Sequence, residues 1–330
     1  MKTNTYLAAI GRWSALLGFV LAAAHAAQPA PSAQPAKTAK SSDPMVRNAA
    51  IKWVNPPKPE APLPTGVTHR TFFSKALGKD VGYCIYLPPG YEAETAKRYP
   101  VIYNLHGAGG NELHSFVAAK ALHEGIVAGR WQPVILVLPN GGSHTYYKDS
   151  ADGKYPAETL IVRELIPYVD ATYRTIASRG GRAIEGFSMG GRGSTRLAMK
   201  YPEMFCSLHN QAGNVPHTAD LFDPTKPTVY PNSYLGTDKA RYIENDAYLL
   251  LKKNVVAIKG GLRILITCGT KDDGHLPTVR EYHAALLAAE VDHTYLEVEG
   301  LNHEHDKLVT MYRTTWYDYH MESFRRAAGK

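Results

Sequence analysis

The chain lacks any paired-cysteine spacing. Its three cysteines, Cys84, Cys206 and Cys268, stand far apart in 330 residues. That leaves no C-x-x-C for a zinc ribbon or a dithiol redox pair. Each lies in an apolar run that reads as a strand, so buried free thiols are expected. In an exported chain one disulfide with one thiol left over remains an alternative, and spacing does not decide the pairing. A charge surplus is also missing from the body of the chain. The formal net charge is +7, but residues 1–60 hold seven Lys/Arg against Asp43 and Glu60 and so account for +5. The remainder is near neutral, with no electrostatic footprint for nucleic acid. There is no internal repeat, which excludes a solenoid. Long apolar runs are scarce. The one near the start, "SALLGFVLAAA", is too short to span a bilayer comfortably. Lys2 and Arg12 make a basic start, and Ala24-His25-Ala26 offers small residues for cleavage. Residues 1–26 therefore read as a signal peptide, and the mature protein is expected to be exported, to the periplasm or beyond, with no membrane span.

Residues 27–64 are poor in large apolar side chains too. They are rich in Ala, Pro, Ser and Lys, a composition that buries little surface and reads as a linker. From residue 65 to 330 the pattern changes. Short apolar runs such as "YPVIYNLHG", "PVILVLPNGG" and "LRILITCGT" are bounded by Pro and Gly, as buried strands are. Between them lie helical periodicities, as in "PAETLIVRELIPYVDATYR" with Ile161, Leu165, Ile166, Val169 and Tyr173 on one face. Strand–helix alternation implies one α/β domain with a mostly parallel sheet flanked by helices. Residues 215–242 read as irregular and polar, too long for a simple connection, and suit a lid or rim.

Glycine is crowded in one place. In "IEGFSMGGRGS", Ser188 stands between Gly186 and Gly190, after a strand and before a helix. Strand, tight turn and helix are the setting of a nucleophile elbow, in which a serine is held in a strained backbone pose above the sheet. The helix start behind it favours negative charge. Upstream, "NLHGAGG" ends another strand, so the amide of Gly107 or Ala108 can join that of Met189 in an oxyanion hole. A serine needs a base, and the base an orienting acid, in the order Ser, Asp, His for this arrangement. Asp272 follows the strand "LRILITCGT" and His303 follows "HTYLEVEG". Asp273 and His305 are the competing choices.

Together "YLPPGY", "NLHGAGG", "ELIPYVDATYRT", "GFSMGGRGS", "CGTKDDG" and "VEGLNHEHD" resemble, in order, an esterase family of α/β-hydrolases. That family includes feruloyl and acetylxylan esterases, S-formylglutathione hydrolase, siderophore esterases and mycolyltransferases. The resemblance implies the α/β-hydrolase fold, Ser188 as nucleophile, Asp272 as acid and His303 as base. Through "SHTYYKDSA" it also implies Tyr147 and Asp149 near the substrate. Two stretches depart from the family pattern: "EHDKL" after the histidine, and residues 215–242.

The expected activity is hydrolysis of a carboxylic ester by a Ser-His-Asp triad, with no metal and no cofactor. The rim is rich in tyrosine, with Tyr146, Tyr147, Tyr155, Tyr230 and Tyr234. A flat apolar face with a hydroxyl suits aryl groups and sugar rings. Feruloyl or acetyl esters of plant polysaccharide are the expected substrates. A siderophore esterase, or an acyltransferase on the same triad, is the alternative.

Overall fold

A computed structural model describes residues 43–228 and 230–329. The expected signal peptide and the first part of the expected linker lie outside the described residues. The domain is built on one eight-stranded sheet. Its strands are β1 (Val67–Ser74), β2 (Lys79–Tyr86), β3 (Val101–Leu105), β4 (Ile135–Pro139), β5 (Arg182–Phe187), β6 (Ser207–Gln211), β7 (Arg263–Gly269) and β8 (His293–Val298). The spatial order is β1-β2-β4-β3-β5-β6-β7-β8. The first two pairings in that order, β1 with β2 and β2 with β4, are antiparallel, and every later one is parallel. Strands covered on both faces need apolar side chains at every position. β3 and β4 are buried throughout and mostly apolar; β6 is buried throughout too but carries Ser207, His209, Asn210 and Gln211, whereas edge strand β1 is buried only at Val67, Phe72 and Ser74.

Parallel pairing carries the carboxyl ends of β3, β5, β7 and β8 to one edge, where sites of open α/β sheets collect. In the β3–β5 register Leu105 faces Gly186, so the glycine loop after β3 lies beside the turn after β5. The periodic helix after Pro156 is not uniform. It runs as Ala157–Thr159, a wider π turn over Leu160–Leu165, and Ile166–Thr172. Pro167 has no N–H for the normal helical bond, and the wider turn absorbs that loss.

The linker expected through residue 64 is corrected for its described part. Residues 43–64 run across the domain. Asp43 caps the short helix Pro44–Asn48. Trp53 is only 8% exposed, and its carbonyl accepts Gly82 N at 2.6 Å. Asn55 donates its backbone and side-chain N–H groups to the buried carboxylate of Glu112, at 2.5 and 3.0 Å. A tryptophan side chain among prolines has more to gain from burial than from solvent. Residues 215–242 are short turns and helices, including Asn232–Leu235 and Lys239–Ile243. They are polar only outside: Tyr234, Leu235 and Tyr242 form their own small buried cluster. The three cysteines are free and buried. Burial pushes the thiols of Cys84 and Cys268 up to about 12 and that of Cys206 to about 11. Among the described residues no helix is long and apolar enough to cross a membrane.

Candidate active site

Ser188 sits at the end of β5 with φ 57 and ψ −117, a region that L-residues rarely occupy. The flanking glycines explain how it is held there. A Cβ on Gly186 would lie 2.5 Å from the Gly190 carbonyl carbon and 2.7 Å from the Leu105 oxygen; one on Gly190 would lie 1.9 Å from that same oxygen. The chain therefore doubles back with backbone against backbone. Ser188 N donates to Gln211 O at 2.9 Å, pinning the turn to β6. Helix Met189–Lys200 starts at the next residue.

The loop after β3 abuts this turn: a Cβ on Gly107 would stand 3.5 Å from Ser188 Cβ. Its shape is set by His106, a residue in plain view in the sequence but given no role there. His106 Nδ1 donates to Gly107 O at 2.8 Å, and its Nε2 accepts from Gly141 N at 3.1 Å. Burial pushes this imidazole down to about 4, so it stays neutral. Gly110 N also donates to Gly107 O. A planar trans peptide points its C=O and N–H in opposite directions. With the Gly107 carbonyl held by His106, the Ala108 N–H points away from that side. Among the described residues, the amides of Gly107, Ala108 and Met189 have no backbone acceptor, while Gly109 N is taken by Ser143 O.

The loops that carry Asp272 and His303 are zipped together. Thr270 N donates to Val298 O and Lys271 N to Leu301 O, each at 2.9 Å. This brings Asp272 Oδ2 to 2.5 Å from His303 Nδ1. Asp272 is 2% exposed, whereas Asp273 is exposed to solvent, so burial separates the two neighbouring acids. His303 lies on the Phe187 ring, with centroids 4.4 Å apart, directly beside the serine. Burial pushes its imidazole below the ordinary value; Asp272 pulls the other way, and His275 adds to the lowering. His305 also packs on Phe187, at 4.7 Å, but its charged neighbour is Asp306, at 3.7 Å. Among the described residues no hydrogen bond joins Ser188 Oγ to His303. Ser188, the glycine loop, Asp272 and His303 nonetheless share one edge of the sheet.

The expected substrate contact at Tyr147 is corrected. Tyr147 is fully buried. Its hydroxyl donates to His106 O at 2.9 Å, and its ring fills the space a side chain at Gly193 would need. It supports the glycine loop from beneath. Its carbonyl accepts from Arg196, which also pairs with Glu158. Lys200 and Tyr201 reach the same carboxylate at 2.7 and 2.5 Å. Asp149 accepts both the backbone N–H and hydroxyl of Thr159, at 3.0 and 2.6 Å, and so anchors a helix start. An aromatic or acid in a loop looks the same in sequence whether it faces substrate or core. The neighbouring Tyr146 is half-buried, 5.7 Å from Tyr230 and under the Arg192 guanidinium at 4.6 Å. Arg192 is one turn along the serine's helix.

Below the serine, Glu185 on β5 meets His209 and His320. Burial alone would push this carboxyl up, but hydrogen bonds from the two histidines hold it below the usual range. Asn104, Gln211, Ser207 and Thr267 complete the network. Both carboxylate oxygens of Glu185 and all four ring nitrogens of His209 and His320 already have a hydrogen-bond partner, so the cluster reads as a polar strut under the elbow.

A family model described as "Putative esterase" matches residues 74–318. An esterase of Mycobacterium tuberculosis (strain H37Rv) is 33% identical over 148 residues, 43% of this chain and 31% of that protein. The endo-1,4-beta-xylanase/feruloyl esterase of Xylanibacter ruminicola is 36% identical over 163 residues, 47% of this chain and 22% of that protein. This chain thus spans less than a third of the length of either relative. A solved ferulic acid esterase matches with a TM-score of 0.64 at 24% identity, covering 77% of this chain and 98% of its own. An S-formylglutathione hydrolase from Agrobacterium tumefaciens gives 0.63 at 20%, covering 78% and 95%. At such identities these two speak for the α/β-hydrolase fold.

Proposed function

The chain belongs to this esterase family, and from that premise we propose that it is a serine carboxylic-ester hydrolase working through Ser188, His303 and Asp272. The observation that carries the proposal is the 2.5 Å bond from His303 to a buried Asp272, with that imidazole resting beside a serine in a strained turn. Ser188 Oγ attacks the ester carbonyl carbon while its proton passes to His303 Nε2. His303 keeps its Nδ1 proton on Asp272, which orients the ring and stabilises the imidazolium. The carbonyl electrons move to oxygen, held by the amides of Met189 and of Ala108 or Gly107. The peptide orientation fixed by His106 favours Ala108. The C–O bond to the alcohol breaks, and that alcohol takes the proton from His303. Water repeats the cycle on the acyl-enzyme and releases the acid.

The proposed substrates are feruloyl or acetyl esters of plant polysaccharide. The Xylanibacter relative, named for feruloyl esterase activity, supports this. So does the half-buried pair Tyr146 and Tyr230, a flat surface suited to an aryl or sugar ring. Export is proposed from residues 1–26. A fluorophosphonate probe should label Ser188 alone, and an ester panel should come next. Methyl ferulate or acetylated xylan turned over far more slowly than p-nitrophenyl acetate would remove the cell-wall substrate and leave the esterase. Failure to label Ser188 would remove both.

A further inference from the structure

Asp272 has two oxygens, and the triad uses one. The other, Oδ1, lies 2.8 Å from Nδ1 of His275. The His275 ring is stacked on that of His303, with centroids 4.0 Å apart and planes 6° from parallel. His303 is therefore held between two rings, with Phe187 on its other side at 4.4 Å. The placement of His275 is built in. It is three residues after Asp272 in a turn closed by His275 N to Asp272 O at 3.0 Å. Its own carbonyl accepts Thr278 Oγ1 at 3.1 Å as the next helix begins. We propose that His275 is a positioning residue of the active site: it shares Asp272 with His303 and fixes the plane of the His303 ring. The proposal rests on the triad reading above.

The chemistry comes from two rings sharing one anion. With both imidazoles neutral, Asp272 accepts two N–H bonds and neither of its oxygens is left without a donor in a buried place. A positive charge on His303 would sit 4.0 Å from the His275 ring, a neighbour that adds to the lowering of the His303 imidazole by burial. The working form is the one with His303 neutral. Other groups face the pair from each side. Cys268 on β7 lies 4.0 Å from Asp272 Oδ2 with its thiol raised by burial. Lys271 and Asp273 flank the acid on the exposed side. His305 stands across Phe187 and feels Asp306, Glu185, His303 and His114. Glu304 is paired with Lys307. None of these has a hydrogen bond to either ring.

Replacing His275 with Phe keeps a ring against His303 but removes the second donor to Asp272 and the neighbour that adds to the lowering of His303. Both changes leave more carboxylate charge for His303 and favour its imidazolium. The neutral base then appears only at higher pH. The kcat/KM profile of H275F should therefore move its acid limb up by about half a pH unit or more, with kcat about tenfold lower and KM unchanged. His275→Gln, which can still donate an N–H to Oδ1, should recover most of the high-pH rate. Low-field proton NMR of the unliganded enzyme tests the geometry without turnover. Resonances of the two Nδ1–H groups on Asp272, those of His275 and His303, are expected in the wild type, and H275F should lose that of His275. An unmoved acid limb in H275F with wild-type kcat overturns the proposal, as does retention of both resonances in that variant. The NMR result stands apart from the triad reading, which fails on its own terms if Ser188→Ala stays active.

Discussion

Ser188 should be less comfortable than glycine in its own position. Its φ of 57 and ψ of −117 lie in a region where a non-glycine residue is strained by roughly 1–3 kcal/mol. Glycine relieves that strain but gives up about 0.5–1 kcal/mol to its freer unfolded chain. Ser188 Oγ makes no hydrogen bond among the described residues, so nothing else is lost. The net expectation for Ser188→Gly is a gain of about 0.5–2 kcal/mol. Unfolding entropy of about 2 cal/mol/K per residue converts this to a Tm rise of about 1–3 °C for a domain of this size. Ser188→Ala keeps the Cβ and the strain and should melt with the wild type. Both variants should lose turnover by several orders of magnitude. Parallel calorimetric melts of the three proteins decide the matter. If the glycine variant melts with or below the alanine variant, the backbone at Ser188 stores no strain and the reasoning is refuted.

Three further outcomes are expected. Asp272→Asn should lower kcat about ten-thousandfold by disturbing the tautomer and charge of His303, while Asp273→Asn, on an exposed side chain, should stay within about twofold; steady-state kinetics separates them. Burial lowers the His303 imidazole, and a base must be neutral to act. The acid limb of kcat/KM should thus lie below the ordinary imidazole value of about 6.5, and a limb above about 7 would contradict that burial. Burial would raise the Glu158 carboxyl, but Arg196 and Lys200 outweigh it and hold the group at about 2. Its contribution to stability is present above the unfolded value near 4.5 and is lost as pH falls towards 2. Glu158→Gln should lose about 3 kcal/mol at neutral pH, read as a lower urea midpoint, and an unchanged midpoint would show the pair to be inert.

Much of this site can be read from letters because close backbone approach leaves a mark. Gly186 and Gly190 must be glycine where Leu105 and the helix turn press on them, and that necessity is visible in a sequence. The order of Ser188, Asp272 and His303 reflects strands that all end at one edge. Other features leave no such mark. Tyr147 and Tyr146 are adjacent tyrosines in one loop, and only the packing of His106 and Gly193 decides which of them is buried. His275 is three residues from Asp272, a spacing shared by countless unrelated pairs. The stretch around Trp53 has linker composition, and the one sign against that reading is a large aromatic with nowhere else to go. Asn55 owes its place to Glu112, far away in the chain, which no local pattern reveals.

The described chain enters and leaves the domain at opposite edges of the sheet. At the start, Asp43 bonds to Ser233 on the segment beside the site, and Arg47 and Asn48 hold His144, next to the Ser143 carbonyl that steadies Gly109. At the finish, Ala327 packs on Gly180, just before β5 begins and so at the sheet's amino edge. For an enzyme fixed to a surface, this polarity matters more than the chemistry of the linkage. A short anchor placed just ahead of Asp43 would turn the mouth of the site towards the support and shade it from a polymer, while small esters diffuse in. An anchor after Gly329 would leave the mouth facing the solution, open to a chain as bulky as xylan.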